Sequence, residues 1–305
     1  APGSTYKPLS AIAGLTEGVI STDSHLPCHG IYEKIEPNPK CWIYPSSHGN
    51  LNVSQGIQHS CNDFFYEVGY RLGLNNAGDS KLDSDTSDGK STQNYYSSER
   101  GIAKLQKYAE EFGLGDTSGM EIPESDPQIS DDNSVLSAIG QGTNNFTTVG
   151  LARYVTTVAN SGTCYDLTLL DKVTDTSGNL LVNYSANVRN TIDMPQSYWN
   201  AIHQGMRGVV QNKKYYQDFG VEVAGKTGTA EEDKSRPNHG LFVGYAPYDN
   251  PEVSMAIRIA NGYSSDYACQ LSKQLMTVYF DLDENGALTD SQTALSLETV
   301  VGGGD

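Results

Sequence analysis

Ser4 and Lys7 stand three residues apart, a hydroxyl nucleophile beside an amine able to take its proton. Ser60-Cys61-Asn62 adds a second hydroxyl and an amide, and Lys226-Thr227-Gly228-Thr229 adds a cationic, glycine-containing segment able to hold an anion. A nucleophile with its base, a second proton carrier and an anion site are the parts of serine acyl transfer. Singly they are weak signals. Ser-x-x-Lys recurs at Ser87 to Lys90 in a Gly- and Asp-laden stretch with no helical pattern, and Ser-x-Asn recurs at Ser177-Gly178-Asn179 and Ser185-Ala186-Asn187 in turn-like surroundings. The case rests on the elements that would position the first set.

Pro2-Gly3 punctuates the chain, and Pro8 to Leu15 then reads as an apolar helical run. Proline is tolerated in the first turn only, so the spacing predicts a helix that begins at or just after Ser4. There Ser4 lies among unpaired N–H groups with Lys7 on the same face. An ammonium that is partly desolvated, or shares its site with another cation, loses its proton readily and can then accept the serine's. The plain structural alternative is an N-capping serine and a solvated lysine. Cys61 to Gly73 has helical spacing and a glycine stop, which places Ser60 and Asn62 at a helix start, where both are also ordinary capping residues. Val221 to Lys226, Gly240 to Tyr245 and Val253 to Ile259 read as antiparallel strands, with Lys226 to Thr229 along the first. Gly228 would leave the backbone open to a substrate approaching edge-on, while Lys226, Thr227 and Thr229 supply charge and donors; a glycine bulge at a strand end is the alternative.

Around these strings run His48-Gly49-Asn50-Leu51-Asn52-Val53, Phe112-Gly113-Leu114-Gly115 followed by Gly119-Met120-Glu121-Ile122-Pro123, Ile139-Gly140-Gln141-Gly142, Val158-Ala159-Asn160-Ser161-Gly162 and His239 to Pro247. In this order, over about residues 1 to 280, the chain resembles the transpeptidase domain of a class B penicillin-binding protein. The resemblance implies an α+β fold: an antiparallel sheet of about five strands flanked by helices, with an all-helical lobe carrying Ser60 and Asn62. It implies a serine-type peptidoglycan D,D-transpeptidase in which Ser4 attacks a stem peptide ending in D-Ala-D-Ala and Lys7 takes its proton. Ser60 would relay a proton to the leaving nitrogen with Lys226 beside it, Asn62 would hold the acyl chain, and Thr227 and Thr229, with Gly228 between them, would hold the substrate carboxylate. The backbone N–H groups of Ser4 and Thr229 would form the oxyanion hole. An acyl-enzyme on Ser4 would pass to the amine of a second stem peptide, and β-lactam antibiotics would trap it. The resemblance implies no cofactor, and it implies placement on the extracytoplasmic face of the cell membrane through an N-terminal anchor that this sequence does not include, so a piece of a longer protein is expected. A glycan polymerase is an implied partner of the full-length protein.

Two other readings use the same parts. A serine β-lactamase must also activate a deacylating water, yet there is no Glu-x-x-Leu-Asn string, and the middle motif ends in Asn62 rather than Val. A non-catalytic β-lactam sensor domain would share that Val.

At 305 residues with 37% hydrophobic content, the chain can bury one sizeable core with a helical lobe beside it. A net charge of -17 argues against nucleic acid as a partner. No apolar run is long enough to span a membrane and no signal peptide is evident. Residues 75–98 read as a polar insertion in a transpeptidase domain spanning 1–280, and residues 281–305 as an acidic, flexible tail. Five dispersed cysteines do not make a disulfide scaffold. Cys28 and Cys41 flank an expected hairpin over Gly30 to Pro39 and are equally readable as a disulfide or as free thiols. With His25, His29 and His48 near them a zinc site is conceivable, but with no C-x-x-C or H-x-x-x-H pair the spacing assigns no metal ligand. Cys61 has no histidine at a spacing that would make it a nucleophile, and His239 reads as a packing or turn residue.

Overall fold

The computed structural model describes residues 1–74, 96–230, 235–283 and 286–287. Most of the expected insertion at 75–98, the Ser87 to Lys90 repeat and most of the expected tail at 281–305 lie outside the described residues. Within them, the chain opens on a 3-10 turn, Gly3–Tyr6, that runs into α1 (Lys7–Thr16). Then follow β1 (Leu26–Cys28), β2 (Gly49–Leu51), α2 (Val53–Gln58), α3 (Asn62–Leu72), α4 (Ser98–Glu111), α5 (Ser134–Ser137) and α6 (Thr148–Ala159). The ribbon strands β3 (Thr163–Asp166), β4 (Lys172–Thr174), β5 (Leu180–Asn183) and β6 (Asn187–Thr191) come next. The chain closes with α7 (Gln196–Gln211), β7 (Ala224–Ala230), β8 (His239–Ala246), β9 (Val253–Ile259) and α8 (Ser265–Tyr279).

The three strands expected between residues 221 and 260 are β7, β8 and β9, paired antiparallel in that order. Every residue of the central β8 is buried, and its alternation divides the apolar interior. Leu241, Val243 and Tyr245 join the larger core with α1, α6 and α7, whereas Phe242 and Ala246 join Ala268 and Met276 of α8 on the other face. Helices therefore flank both faces, as expected of the α+β class. The strand number differs from expectation: among the described residues the main sheet has three strands, not about five. The remaining strands close on themselves as two-stranded ribbons, β1–β2, β3–β6 and β4–β5. β4 and β5 are exposed throughout and have no buried face to dock on the sheet. The outer edge of β7 is met by the 3-10 turn, where Gly228 lies against Pro2 and Thr5.

The lobe is built from α2 to α5 packed on α1, but it is not purely helical, because the β1–β2 ribbon lies against α3. Arg153 of α6 is fully buried and ties the lobe's far end: it ion-pairs with Asp116 and donates to the carbonyls of Gly113, Asp116 and Thr117. The expected hairpin between Cys28 and Cys41 forms, with Tyr32 N–H donating to Pro39 and Cys41 N–H donating to Gly30.

Candidate active site

Pro8 sits in the first turn of α1, as its lost N–H requires, and this sets Ser4 one turn upstream, in 3-10 rather than α-helical geometry. In a 3-10 turn residues i and i+3 eclipse, so Ser4 and Lys7 share a face more closely than an α-helix would allow. Ser4 is not capping: the residue before the turn is Pro2, which makes no side-chain cap.

The capping alternative for the middle motif fails in an informative way. The cap of α3 is Cys61, whose Sγ accepts the Phe64 N–H. Ser60 and Asn62 on either side are released from that duty, and Ser60 adopts a left-handed backbone, φ 50°. That turn aims both side chains at Lys7. Lys7 Nζ lies 2.7 Å from Ser60 O, 2.7 Å from Asn62 Oδ1 and 3.1 Å from Ser60 Oγ.

β7 runs without a bulge, Lys226 facing Val243 and Gly228 facing Leu241 across the ladder. Lys226 Nζ reaches 2.9 Å from the same Ser60 Oγ and donates to Thr227 O. Three glycines let the segments approach this closely. A Cβ on Gly228 would lie 2.7 Å from Thr5 Cγ2 and 3.0 Å from Pro2 O, and one on Gly3 would lie 2.5 Å from Thr229 O. Gly140, from the Ile139-Gly140-Gln141-Gly142 string, backs the turn on its other side and accepts the Gly3 N–H. The turn that carries Ser4 is clamped between strand and loop, backbone on backbone.

Both lysines are completely buried. Burial draws Lys7 down to about 7, against a smaller upward pull from Cys61 and Cys41. Lys226 is lowered well below the ordinary range, by burial first and then by the charges of Lys7 and Lys213. A neutral Lys7 has two N–H bonds and one lone pair. The two carbonyl oxygens at 2.7 Å use the N–H bonds, leaving the lone pair to take a proton.

A cleft of about 740 Å³ lies between the β7 edge and the lobe, lined by Ser4, Ser60, Asn62, Thr227 and Thr229. The seven polar positions singled out by sequence, with Gly228 packed behind, thus converge on one site. Three further lining residues escaped the sequence reading of chemistry: Trp42, Gln141 and Lys213. Trp42 is 63% exposed and donates its indole N–H to the carbonyls of His59 and Ser60; Lys213 is paired with Asp266 at 2.7 Å. Their signal was visible only as a bare aromatic and a bare cation. The decoy Ser-x-Asn strings at 177–179 and 185–187 are exposed on the β4–β6 ribbons, remote in chain and setting from the lysines. His239 packs rather than turns: it is the buried first residue of β8, paired with Ala230, and its Nδ1 accepts the Asn261 N–H.

Behind the middle motif, Cys28, Cys41, Cys61 and His48 bring their sulfur and nitrogen atoms within 4.8 Å of one another. Cys28 and Cys41 are free thiols, not a disulfide, and of the three nearby histidines only His48 joins them.

Fold and site together define a class: an α+β domain presenting a helix-start serine to a cleft that holds two desolvated lysines about one hydroxyl. The chain belongs to the penicillin-binding protein transpeptidase domain family, whose model matches residues 1–277. It is 25% identical over 329 residues to the peptidoglycan D,D-transpeptidase MrdA of Haemophilus influenzae, covering 92% of this chain and 44% of that protein. It is 25% identical over 286 residues to penicillin-binding protein 2B of Streptococcus pneumoniae, covering 84% of this chain and 39% of that one. A crystal structure of Pseudomonas aeruginosa PBP2 in complex with WCK 5153 superposes with a TM-score of 0.75 at 25% identity, covering 95% of this chain and 63% of that one. The chain spans less than half the length of the curated relatives it matches.

Proposed function

We propose that this chain is the transpeptidase domain, about residues 1–280, of a peptidoglycan D,D-transpeptidase, acting through a seryl ester on Ser4 and acylated by β-lactams. The observation that carries the reading is the convergence of two fully buried lysines on Ser60 Oγ, at 3.1 and 2.9 Å, beside a cleft lined by Ser4.

Ser4 Oγ attacks the carbonyl of the penultimate D-Ala as neutral Lys7 accepts its proton. The developing oxyanion is met by the backbone N–H groups of Ser4 and Thr229, which the Gly3 contact with Thr229 O keeps adjacent. Lys7, now protonated, stands 3.1 Å from Ser60 Oγ, and Ser60 hands a proton to the departing D-Ala nitrogen and is restored from Lys7. Lys226 holds Ser60 from the far side and with Lys7 sets the charge about it, while Thr227 and Thr229 bind the substrate carboxylate. Asn62 holds Lys7 with its Oδ1 and offers its amide to the acyl chain. A second stem peptide's amine then attacks the ester by the same route in reverse. Placement outside the cytoplasmic membrane and work beside a glycan polymerase belong to the full-length protein on this reading; no helix among the described residues is long and apolar enough to cross a membrane.

The test is release of D-Ala from a synthetic stem pentapeptide by the purified chain, with transfer to an added D-amino acid acceptor. Release that requires Ser4 supports the reading. A folded chain that forms an acyl-enzyme with β-lactams yet releases no D-Ala from any stem peptide contradicts it.

A further inference from the structure

Lys213 stands just past the C-terminal end of α7, where its N–H donates back to Val210 O, and it lines the cleft together with Thr227 and Thr229. Its ammonium is braced from α8. Asp266 Oδ1 lies 2.7 Å from Lys213 Nζ and accepts the Tyr215 hydroxyl at 3.0 Å, while Asp266 Oδ2 accepts the Gln270 side-chain amide at 3.0 Å. The start of α8 is in turn pressed onto the sheet beside the site: Thr229 faces Gly240 across the ladder, and a Cβ on Gly240 would run into Ser264 O. The cleft thus has two β7 threonines and a held ammonium among its lining groups.

The two catalytic lysines are poorly placed to meet a substrate carboxylate. Both are completely buried, and burial drives each toward its neutral form. A neutral Lys226 has two N–H bonds, and Ser60 Oγ and Thr227 O, each at 2.9 Å, use both. Lys7 spends its own on Ser60 O and Asn62 Oδ1. Lys213 differs in each respect. Its side chain is 28% exposed, and of the three N–H bonds of an ammonium Asp266 takes one; among the described residues no other acceptor meets Nζ. Its charge is felt at Lys226, the neighbour of Thr227 in β7. The chain as a whole carries a net charge of -17, which repels an anionic substrate, so a cation within the cleft has a repulsion to offset.

We propose that Lys213 is the charged element of the carboxylate site: it recognises the C-terminal carboxylate of the donor stem peptide, and that of a β-lactam, alongside the hydroxyls of Thr227 and Thr229. Asp266 and Tyr215 are its positioning residues. Asp266 keeps its hold as the substrate arrives, so the ammonium bridges two carboxylates. The inference rests on the transpeptidase reading and adds a selection rule to it: a free acid is taken in preference to its neutral ester.

The test compares benzylpenicillin with its methyl ester, which lacks the negative charge, by the second-order rate of adduct formation read from intact mass. The wild-type chain should react with the acid about 10²-fold faster than with the ester. Lys213→Gln and Lys213→Met should each cut that preference by about 10-fold or more, and Lys213→Arg, which keeps a cation, should retain most of it. Lys172→Gln makes the same change of charge on the exposed β4 and should keep the wild-type preference. If Lys213 only ties the end of α7 to α8, its loss slows acid and ester together and leaves the preference standing, which overturns the proposal. So does a wild-type chain that takes acid and ester at equal rates, a result that needs no variant to fold. A folded chain that forms no adduct with either compound contradicts the transpeptidase reading, and the proposal falls with it; adducts whose preference is untouched in the Lys213 variants remove the proposal alone.

Discussion

Acylation should follow the protonation of Lys7, and the profile is steep enough to measure. Burial brings Lys7 from 10.5 to about 7. Its shift is downward, so the reactive neutral form predominates above about pH 7 and is lost as pH falls. A single titration at that midpoint leaves about 90% of the base neutral at pH 8 and about 1% at pH 5, a ratio of roughly 90. The second-order rate of acylation by a fluorescent penicillin should accordingly fall by nearly two decades over that range, the change belonging to the coupled pair Lys7 and Lys226 rather than to one amine. The unfolded chain holds this proton more tightly, so the contribution of Lys7 to stability rises with pH between about 7 and 10.5 and does not assist folding below it. Folding must therefore be verified at pH 5. Lys7→Arg keeps a cation that stays protonated and should acylate at least about 10³-fold more slowly. A rate that is flat from pH 8 to 5 on folded protein, or that keeps climbing tenfold per unit to pH 10, would refute Lys7 as a desolvated base.

Three other outcomes follow from the packing. Ser60→Ala removes the atom on which Lys7 and Lys226 meet and should slow acylation by about 10²-fold or more with little change in thermal midpoint; a loss under threefold in stopped-flow measurements would remove Ser60 from the proton path. In Gly228→Ala the added methyl would meet Thr5 Cγ2 and the Pro2 carbonyl, forcing strand and nucleophile turn apart, at a cost of about 1–3 kcal/mol and roughly 10²-fold in acylation. Equal rates and equal denaturation midpoints would show that the clamp is slack. Arg153→Met strands the Gly113, Asp116 and Thr117 carbonyls and should lose about 3 kcal/mol in urea unfolding; a loss below about 0.5 kcal/mol would contradict its tying role.

What sequence reveals here is whatever depends on local geometry. Pro8 dates the start of α1 because proline has only one comfortable helical place, and the short apolar run Leu241-Phe242-Val243 between glycines reads as a strand. The order of the three motifs, more than any one of them, points to the site. What sequence hides depends on contacts between distant segments. Cys61 as the helix cap, and hence Ser60 and Asn62 as free agents, is not legible because serine and asparagine are the commoner caps. Gly3 reads only as chain punctuation and Gly140 only as part of a longer string, yet their use is to let backbones touch. The cluster of Cys28, Cys41, His48 and Cys61 has no short-range spacing to announce it, since its members come from four separate stretches of chain. Among the described residues the main sheet has three strands rather than about five, and β4 and β5 pair with each other and stay exposed.

The most direct test of the central claim is the intact mass of the folded chain followed over time with benzylpenicillin, beside Ser4→Ala. The account predicts a single, persistent one-drug adduct on the wild-type chain and none on the variant. Rapid return to the unmodified mass with turnover of the drug would indicate a hydrolase in place of a transpeptidase, and an adduct that survives Ser4→Ala would contradict the assignment of the nucleophile.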